Sequence, residues 1–348
     1  MKQGKIIEAV IKSLPNCSPI TEKDKPLYEE FLKTERKKYP YHYSRNWIFI
    51  KQVAGNFGIK YFNKEKQHLI TIAPNWGGSV PNYVYLPLGI KAIESVPYVV
   101  KELAEILEQK IIVKKIYGED NKNFLLKNGF KEIPPTGNID FEHLDDDRYP
   151  EVICDVDSII KAAFGFPIEI NMREFRYQLK DIYKKVNLGE YNFQEKELDQ
   201  KLDELFKDLV KKWSQDAAER LAKQFKKKPR LETVKKWMFD VYYPHFVKEQ
   251  QINKDKDVMA YISFIDGKVV GFTAAYPVSN VCLAVNGLIA DTSFKGLIRY
   301  LIFRLANKAR VLGYKYINLG SNDTKEQYEF KLALGKIYEV QPYIFEYK

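Results

Sequence analysis

Two stretches near the carboxyl end of the chain carry residue types that can bind a charged or polar substrate. Asn318, Gly320 and Asn322 follow a predicted short strand. Asparagine amides can hold a ribose or a carbonyl group, although Asn and Gly also favour turns for structural reasons alone. Lys295 and Gly296 precede a predicted long helix, where backbone N–H groups can attract a phosphate. An ordinary loop-to-helix junction would have the same composition, so both interpretations stay open.

Arg173 and Arg176 are a second candidate for binding phosphate. They lie three residues apart in a predicted helix, so their guanidinium groups project from neighbouring positions of one face. Such a pair can act as a phosphate clamp, but more often it belongs to an ordinary solvated face.

The segment from residue 259 to the end predicts the elements that position the first set of residues. Two apolar runs flank Asp266 and Gly267, a dipeptide that accepts the positive φ angles of a tight hairpin turn. A third strand follows, and then a helix in which every fourth residue from Leu297 to Ala309 is apolar, as on a buried stripe. A short strand, a second helix and a final aromatic strand complete a compact α/β unit.

This order of elements carries a resemblance. The stretches GYKYINLGSND and YEFKLALG are similar to the C-terminal domain of lysyl-phosphatidylglycerol synthases and to the Fem-type aminoacyl-tRNA transferases, within the GNAT acyltransferase superfamily. The resemblance covers residues 255–348 and is weaker upstream. It implies a GNAT fold and the transfer of an aminoacyl group from charged tRNA to an amine or a hydroxyl.

The resemblance also implies roles for individual residues. Fem-like enzymes place a lysine near the reacting ester carbonyl, and the matching residue here is Lys331, which follows Phe330. Attack of an amine on an ester develops negative charge on oxygen, and a nearby ammonium stabilises it. The alternative is a surface lysine among the 56 Lys and Arg residues of the chain. The donor site would be lined by Phe294, Lys295, Gly296, Arg299, Asn318, Gly320, Asn322 and Phe330.

Composition limits the class of protein and of partner. The chain has 348 residues, long enough for two domains, and 45% of them are hydrophobic. The formal charge of +10 favours an anionic partner such as RNA, a nucleotide or an acidic lipid. Three widely spaced cysteines show neither a disulfide framework nor metal-ligand spacing. No apolar run approaches the ~20 residues that span a bilayer. These features predict a cytoplasmic protein with no metal, and they argue against a lipid acceptor.

The N-terminal half repeats the pattern of the C-terminal unit. A helix, a strand, a second helix, a glycine and a strand occur in the same order up to Ile133, with poor residue identity. We therefore predict an α/β (α+β) protein of two tandem GNAT-like domains. The first, 1–145, is degenerate and lacks the phosphate-loop candidate and the Phe-Lys pair. The second is 146–348.

A charged helical segment, 171–240, is predicted inside the second domain. In its Lys- and Glu-rich part, apolar residues recur at spacings of three and four, giving one apolar face. Leu205 lies on this face and is expected to be buried. A helix pair packed on its own domain is favoured over a projecting helical arm.

Three functions remain open from the sequence. The first is an aminoacyltransferase that uses aminoacyl-tRNA, needs no cofactor, and acts on a small-molecule, peptide or lipid-headgroup acceptor. The second is an N-acyltransferase with acyl-CoA as donor, against which the single-glycine turn at Gly296 argues, since acetyl-CoA binders usually have a richer Gly-x-Gly turn. The third is a non-catalytic RNA-binding protein with two degenerate GNAT folds.

Overall fold

The computed structural model describes most of the chain. The residues that it describes are 3–55, 57–73, 82–133, 149–164, 173–198, 203–222, 231–232, 234–236, 239, 258–320 and 325–347. The helices named here are α1 Gln3–Ser13, α2 Lys25–Lys38, α3 Trp47–Ala54, α4 Val96–Leu107, α5 Glu119–Lys127, α6 Val156–Phe164, α7 Arg173–Asn187, α8 Asp203–Ala222, α9 Leu297–Val311 and α10 Lys325–Leu332. The strands are β1 Cys17–Pro19, β2 Ile59–Asn63, β3 His68–Ala73, β4 Asn82–Leu88, β5 Ile111–Ile116, β6 Lys131–Glu132, β7 Glu151–Asp155, β8 Phe193–Glu197, β9 Met259–Ile265, β10 Lys268–Pro277, β11 Cys282–Ala290, β12 Tyr316–Asn318, β13 Lys336–Val340 and β14 Tyr343–Tyr347.

The described strands form two seven-stranded sheets with matching topology. The first has the order β1-β2-β3-β4-β5-β14-β6, and the second has the order β8-β9-β10-β11-β12-β7-β13. Each sheet contains one parallel pair, β4 with β5 and β11 with β12, among antiparallel neighbours. Position by position the two sheets therefore correspond, and the predicted tandem α/β architecture is confirmed.

One strand crosses from the C-terminal half into the first sheet. In the first sheet the position next to the parallel pair is filled by β14, the last strand of the chain, which pairs with β5 and β6. In the second sheet the same position is filled by β7, which pairs with β12 and β13. The predicted final strand is thus two strands, which Gln341 and Pro342 separate and which belong to different sheets. Because β14 completes the first sheet, the second sequence domain, 146–348, includes a strand that belongs structurally to the first half.

The core of the C-terminal unit agrees with the sequence pattern. Asp266 and Gly267 have φ angles of 51° and 77° and form the turn between β9 and β10. The four residues of the predicted stripe on α9 are at most 2% exposed. They pack in one hydrophobic cluster with α6, α7 and one face of the second sheet. Burial of this stripe holds α9 against β10 and β11 and fixes where its first turn lies.

The apolar run at residues 47–51 predicts a strand from the sequence alone, and this prediction is wrong. Residues 47–51 form the start of helix α3 and not a strand. Asn46 caps this helix, because its side-chain Oδ1 accepts a hydrogen bond from the backbone N–H of Ile48 at 2.6 Å. The helix lies between the two sheets, with Ile48 in the cluster of the second sheet and Trp47 in that of the first. Apolar residues therefore surround it, and such a run has no periodicity that separates helix from strand.

The charged segment is only partly helical in the described residues. Helices α7 and α8 are present, but Phe193–Glu197 between them is the edge strand β8 of the second sheet. The burial of Leu205 was predicted wrongly, since this side chain is 47% exposed while Phe206 is fully buried. Phe206 packs against Phe272 of β10 with ring centroids 4.7 Å apart. Helix α8 thus lies on its own sheet, as the helix-pair interpretation expects.

The predicted boundary at 145 lies in the range 134–148, which is outside the described residues. The proposed boundary at 145 accordingly stays a prediction.

Candidate functional site

A buried asparagine, Asn318, shapes the chain at the end of β12. Asn318 is fully buried, and its Oδ1 accepts a hydrogen bond from the backbone N–H of Gly320 at 2.7 Å. Its Nδ2 donates to Oε2 of Glu151 at 2.8 Å and to the backbone carbonyl of Tyr41 at 2.6 Å. Both ends of the amide are therefore engaged within the protein. The contacts show Asn318 shaping the turn at Gly320, and a direct contact with a donor stays a prediction.

Lys331 is brought to this turn by helix α10. Its Nζ donates to the backbone carbonyl of Gly320 at 3.3 Å, and its side chain is half-buried. Gly320 has a φ of 74° and carries no side chain, and a Cβ built on it would lie 3.6 Å from the ring of Tyr43 and 3.9 Å from Lys331 Nζ. The ammonium, the turn and the aromatic ring therefore share one small region. Of the predicted site residues, the structure brings together Lys331, Gly320 and Asn318.

Glu151 joins the two halves beneath this region. Its carboxylate is fully buried and accepts hydrogen bonds from the hydroxyl of Tyr117 at 2.8 Å and from the backbone N–H of Tyr43 at 2.9 Å. Lys115 Nζ lies 3.7 Å from the same carboxylate. Tyr117 and Lys115 come from the first half, whereas Glu151 and Asn318 belong to the second sheet. A charge buried this deeply is tolerated because cations and donors surround it.

The segment Tyr39–Asn46 was missed by the sequence reasoning, although it forms several hydrogen bonds to the second half. Tyr43 touches the site with its ring, and its hydroxyl donates to Oδ1 of Asn286 on β11. The Nδ2 of Asn46 donates to the backbone carbonyl of Pro277. The available signal was the aromatic and polar run YPYHYSRN directly before an apolar stretch. This run has no helix or strand period, so pattern analysis assigned it to no element.

His42 in this segment is a buried neutral imidazole. Desolvation lowers the pKa of His42 to about 3, and the nearby charges of Arg45 and Lys115 act in the same direction. Its ring stacks on Tyr39 at 4.6 Å and lies 4.1 Å from the ring of Tyr117. The guanidinium of Arg45 is bound by Glu35 at 3.3 Å. This cluster is a packed interior and not a proton-transfer site facing a substrate.

The turn before α9 is covered by α7. Gly296 has a φ of 86°, and a Cβ at this position would lie 2.5 Å from the backbone carbonyl of Gln178. The backbone N–H groups of Arg299 and Tyr300 bind the carbonyl of Gly296 within the turn. Phe294 is half-buried against the core, and Lys295 is exposed. These contacts do not favour a phosphate in this turn.

Arg299 links this turn to α10. Its Nη1 donates to Oε1 of Gln178 at 2.5 Å, and its guanidinium lies over the ring of Phe330 at 5.0 Å. Phe330 and Lys331 are consecutive on α10, so the start of α9 and the Gly320 turn flank the same helix. On α7, Arg173 is exposed and Arg176 is half-buried.

Three predictions from the sequence remain: the site residue Asn322, the absence of a metal site and the absence of a membrane-spanning segment. Asn322 lies outside the described residues. Among the residues that are described, no group of three or more His, Cys, Asp or Glu side chains could hold a metal ion. No helix in the part of the chain that the structure describes has the length and apolar character needed to cross a bilayer.

Solved structures share this arrangement at low sequence identity. A conserved protein of unknown function from Bacteroides thetaiotaomicron superposes with a TM-score of 0.63 at 16% identity, over 95% of this chain and 99% of that chain. A tandem GNAT protein from the clavulanic acid biosynthesis pathway gives 0.54 at 9% identity, over 95% and 97%. The C-terminal domain of a putative lysylphosphatidylglycerol synthetase from Agrobacterium fabrum gives 0.51 at 13% identity, over 92% of each.

The chain has a tandem GNAT-like fold. The fold implied by the resemblance in the C-terminal segment is thereby confirmed. No protein-family model matches the chain, and no curated protein sequence matches it significantly. At these identities the similarity establishes the fold, and the chemistry has to be argued from the site itself.

Proposed function

We propose that this protein is an aminoacyltransferase that moves an aminoacyl group from charged tRNA to an amine or a hydroxyl. The observation that carries the proposal is the position of the Lys331 ammonium. It lies at the end of β12, beside the Gly320 carbonyl and the Tyr43 ring, where the two GNAT-like halves meet. The similarity of the fold to a putative lysylphosphatidylglycerol synthetase supports the same class of chemistry.

In this reaction the ester carbonyl of the donor binds near Lys331. An acceptor amine attacks the carbonyl carbon, and negative charge grows on the carbonyl oxygen, where the ammonium stabilises it. Collapse of the tetrahedral intermediate forms the amide and releases the ribose hydroxyl of the tRNA. The proton lost by the amine balances the proton gained by this hydroxyl, so no net proton leaves the pair of substrates. In this scheme Lys331 neither takes up nor gives a proton, and it stabilises the oxyanion by its charge and position.

The acyl-CoA alternative is less well supported by the site. A CoA donor in a GNAT fold would need the helix-start turn to accept its phosphates, by the logic of helix N-termini as anion sites. Here that turn is packed against the backbone of Gln178. The acceptor remains within the classes given by the sequence: a small molecule, a peptide or a lipid headgroup.

The test is a transfer assay with labelled aminoacyl-tRNA. A pool of tRNA charged with radiolabelled amino acids is incubated with the protein and a panel of amine and hydroxyl acceptors, with labelled acetyl-CoA in parallel. We expect the label to move from tRNA to an acceptor, and no transfer from acetyl-CoA. Transfer from acetyl-CoA alone would replace the proposal with the second function. Retained tRNA without turnover would replace it with RNA binding.

Lys331→Ala then tests the residue. We expect kcat to fall by about 10²–10³ with little change in donor affinity, as for loss of one oxyanion partner. Lys331→Arg should rescue only part of the rate, because the charge remains but its shape changes. Lys325→Ala, an exposed lysine on the same helix, is the control. Unchanged turnover in Lys331→Ala would exclude this role.

A further inference from the structure

A basic cleft lies on the other side of the segment Tyr39–Asn46. Its volume is about 540 Å³, and it opens between helix α2 and the turn that joins β10 to β11. Helix α2 contributes Lys25, Lys33, Arg36 and Lys37 to the cleft wall. With Glu29 between Lys25 and Lys33, the lining positions of α2 recur every three or four residues, which places them along one helix face. At ~1.5 Å per residue the row is about 18 Å long.

The charge of this wall is not explained by the helix alone. Among the described residues that line the cleft, Glu29 is the single acidic one, and it binds Arg36 at 2.8 Å. Cations in the last turn of a helix complement its negative end, which accounts for Arg36 and Lys37. Lys25 lies instead in the first turn, where the dipole disfavours a cation, and Lys33 lies in the middle. Lys33 and Lys37 are exposed, so the cleft presents positive charge to solvent.

The cleft and the Lys331 region flank the same stretch of chain. Arg36 Nε donates to the backbone carbonyl of Arg45 at 2.8 Å, and Asn46 lines the cleft. Tyr43, whose ring lies beside Gly320, is only two residues before Arg45. Two residues span at most ~7 Å of chain. The cleft wall and the Gly320 turn therefore contact the same short segment.

We infer that this cleft holds the phosphate backbone of the donor tRNA, with the aminoacylated end directed towards Lys331. This inference rests on the proposed function and locates its partner. A row of cations in a concave wall suits a phosphodiester strand, whose charges are regularly spaced. A membrane surface would call for apolar anchors beside the cations. Of the described apolar residues that line this cleft, Trp47, Ile48 and Val278 are buried at 4%, 3% and 1% exposure and Pro277 is half-buried, so they offer no such anchor.

The experiment measures binding of deacylated tRNA by fluorescence anisotropy over a salt series. The test variant is Lys33→Ala/Lys37→Ala. The control is Lys127→Ala/Lys268→Ala, which removes the same charge from two exposed lysines outside the cleft. If each lysine neutralises one duplex phosphate, the slope of log K against log salt becomes shallower by about 1.8 in the test variant, and Kd in about 0.1 M salt rises about 60-fold. All four lysines are exposed, so we expect both variants to fold, and circular dichroism checks that they do.

The outcomes separate the inference from the proposed function. Weaker binding in the test variant with unchanged binding in the control supports the cleft. Equal weakening in both variants would mean diffuse attraction, and no weakening in the test variant would place the RNA elsewhere; either result overturns the inference and leaves the tRNA donor standing. Absence of tRNA binding by the unmodified protein overturns both. Binding to phosphatidylglycerol vesicles that depends on Lys33 and Lys37, without tRNA binding, would assign the cleft to a membrane instead.

Discussion

The buried histidine gives the protein a pH dependence whose size can be worked out from the structure. His42 is 9% exposed, and burial lowers its pKa to about 3. In the unfolded chain the imidazole titrates near its ordinary pKa of about 6.5. Between these two values the unfolded state binds a proton that the folded state rejects. Stability contributed by the neutral ring is therefore intact above pH ~6.5 and is lost as the pH falls below it.

The magnitude follows from the linkage relation. Between about pH 7 and pH 5 the free energy of unfolding should fall by about 2 kcal/mol from this residue alone. At pH ~5 the folded ring is almost entirely unprotonated, so the loss comes from protonation of the imidazole in the unfolded chain. Arg45 and Lys115, the cations beside the ring, keep the charge unfavourable even though Glu35 and Glu151 pair with them.

The assay compares urea unfolding of the unmodified protein and of His42→Gln at both pH values. Glutamine does not titrate, so the variant should lose about 2 kcal/mol less between the two conditions, whatever its absolute stability. All other titrating groups are common to both proteins, and their contribution cancels in the difference. A pH effect equal in the two proteins within about 0.5 kcal/mol would refute the buried neutral ring.

Three further predictions concern packing and are each checked by denaturant unfolding. Phe206→Ala should cost about 3–5 kcal/mol because its ring is fully buried, whereas Leu205→Ala should cost less than about 1 kcal/mol; equal costs would contradict the placement of α8. Glu151→Ala should lower the free energy of unfolding by about 3–5 kcal/mol, since it leaves the buried Lys115 without its carboxylate. A change near zero would mean that water reaches Lys115 between the two halves. Gly296→Ala should destabilise by more than about 1 kcal/mol, because its φ is positive and α7 fills the space; a neutral result would show that α7 does not cover this turn.

The local sequence pattern was sufficient to predict a helix or a strand wherever one face of that element is buried. The hairpin at Asp266 and Gly267 and the stripe on α9 follow from turn chemistry and helical period, which act over a few residues. The same rules failed for α3, because a helix buried on all sides has no period to read. They also predicted burial for Leu205, whereas the next residue, Phe206, is the buried one. With 3.6 residues per turn, an apolar residue next to a buried one can lie at the edge of the buried face.

The candidate site depended on contacts that no local pattern contains. The sequence by itself determined that Lys331 follows Phe330 on a helix shortly after the strand that ends near Gly320. The tertiary structure then brought its Nζ to the Gly320 carbonyl. The sequence near Glu151 does not predict that its carboxylate accepts hydrogen bonds from Tyr43 and Asn318, which lie far away along the chain. Likewise, the aromatic final segment predicts strands, but only the folded sheets decide that β14 crosses into the first half. Hydrophobic period and turn type are short-range properties of the chain, whereas these placements depend on which buried partners and which sheet edges remain unpaired once the whole molecule has folded.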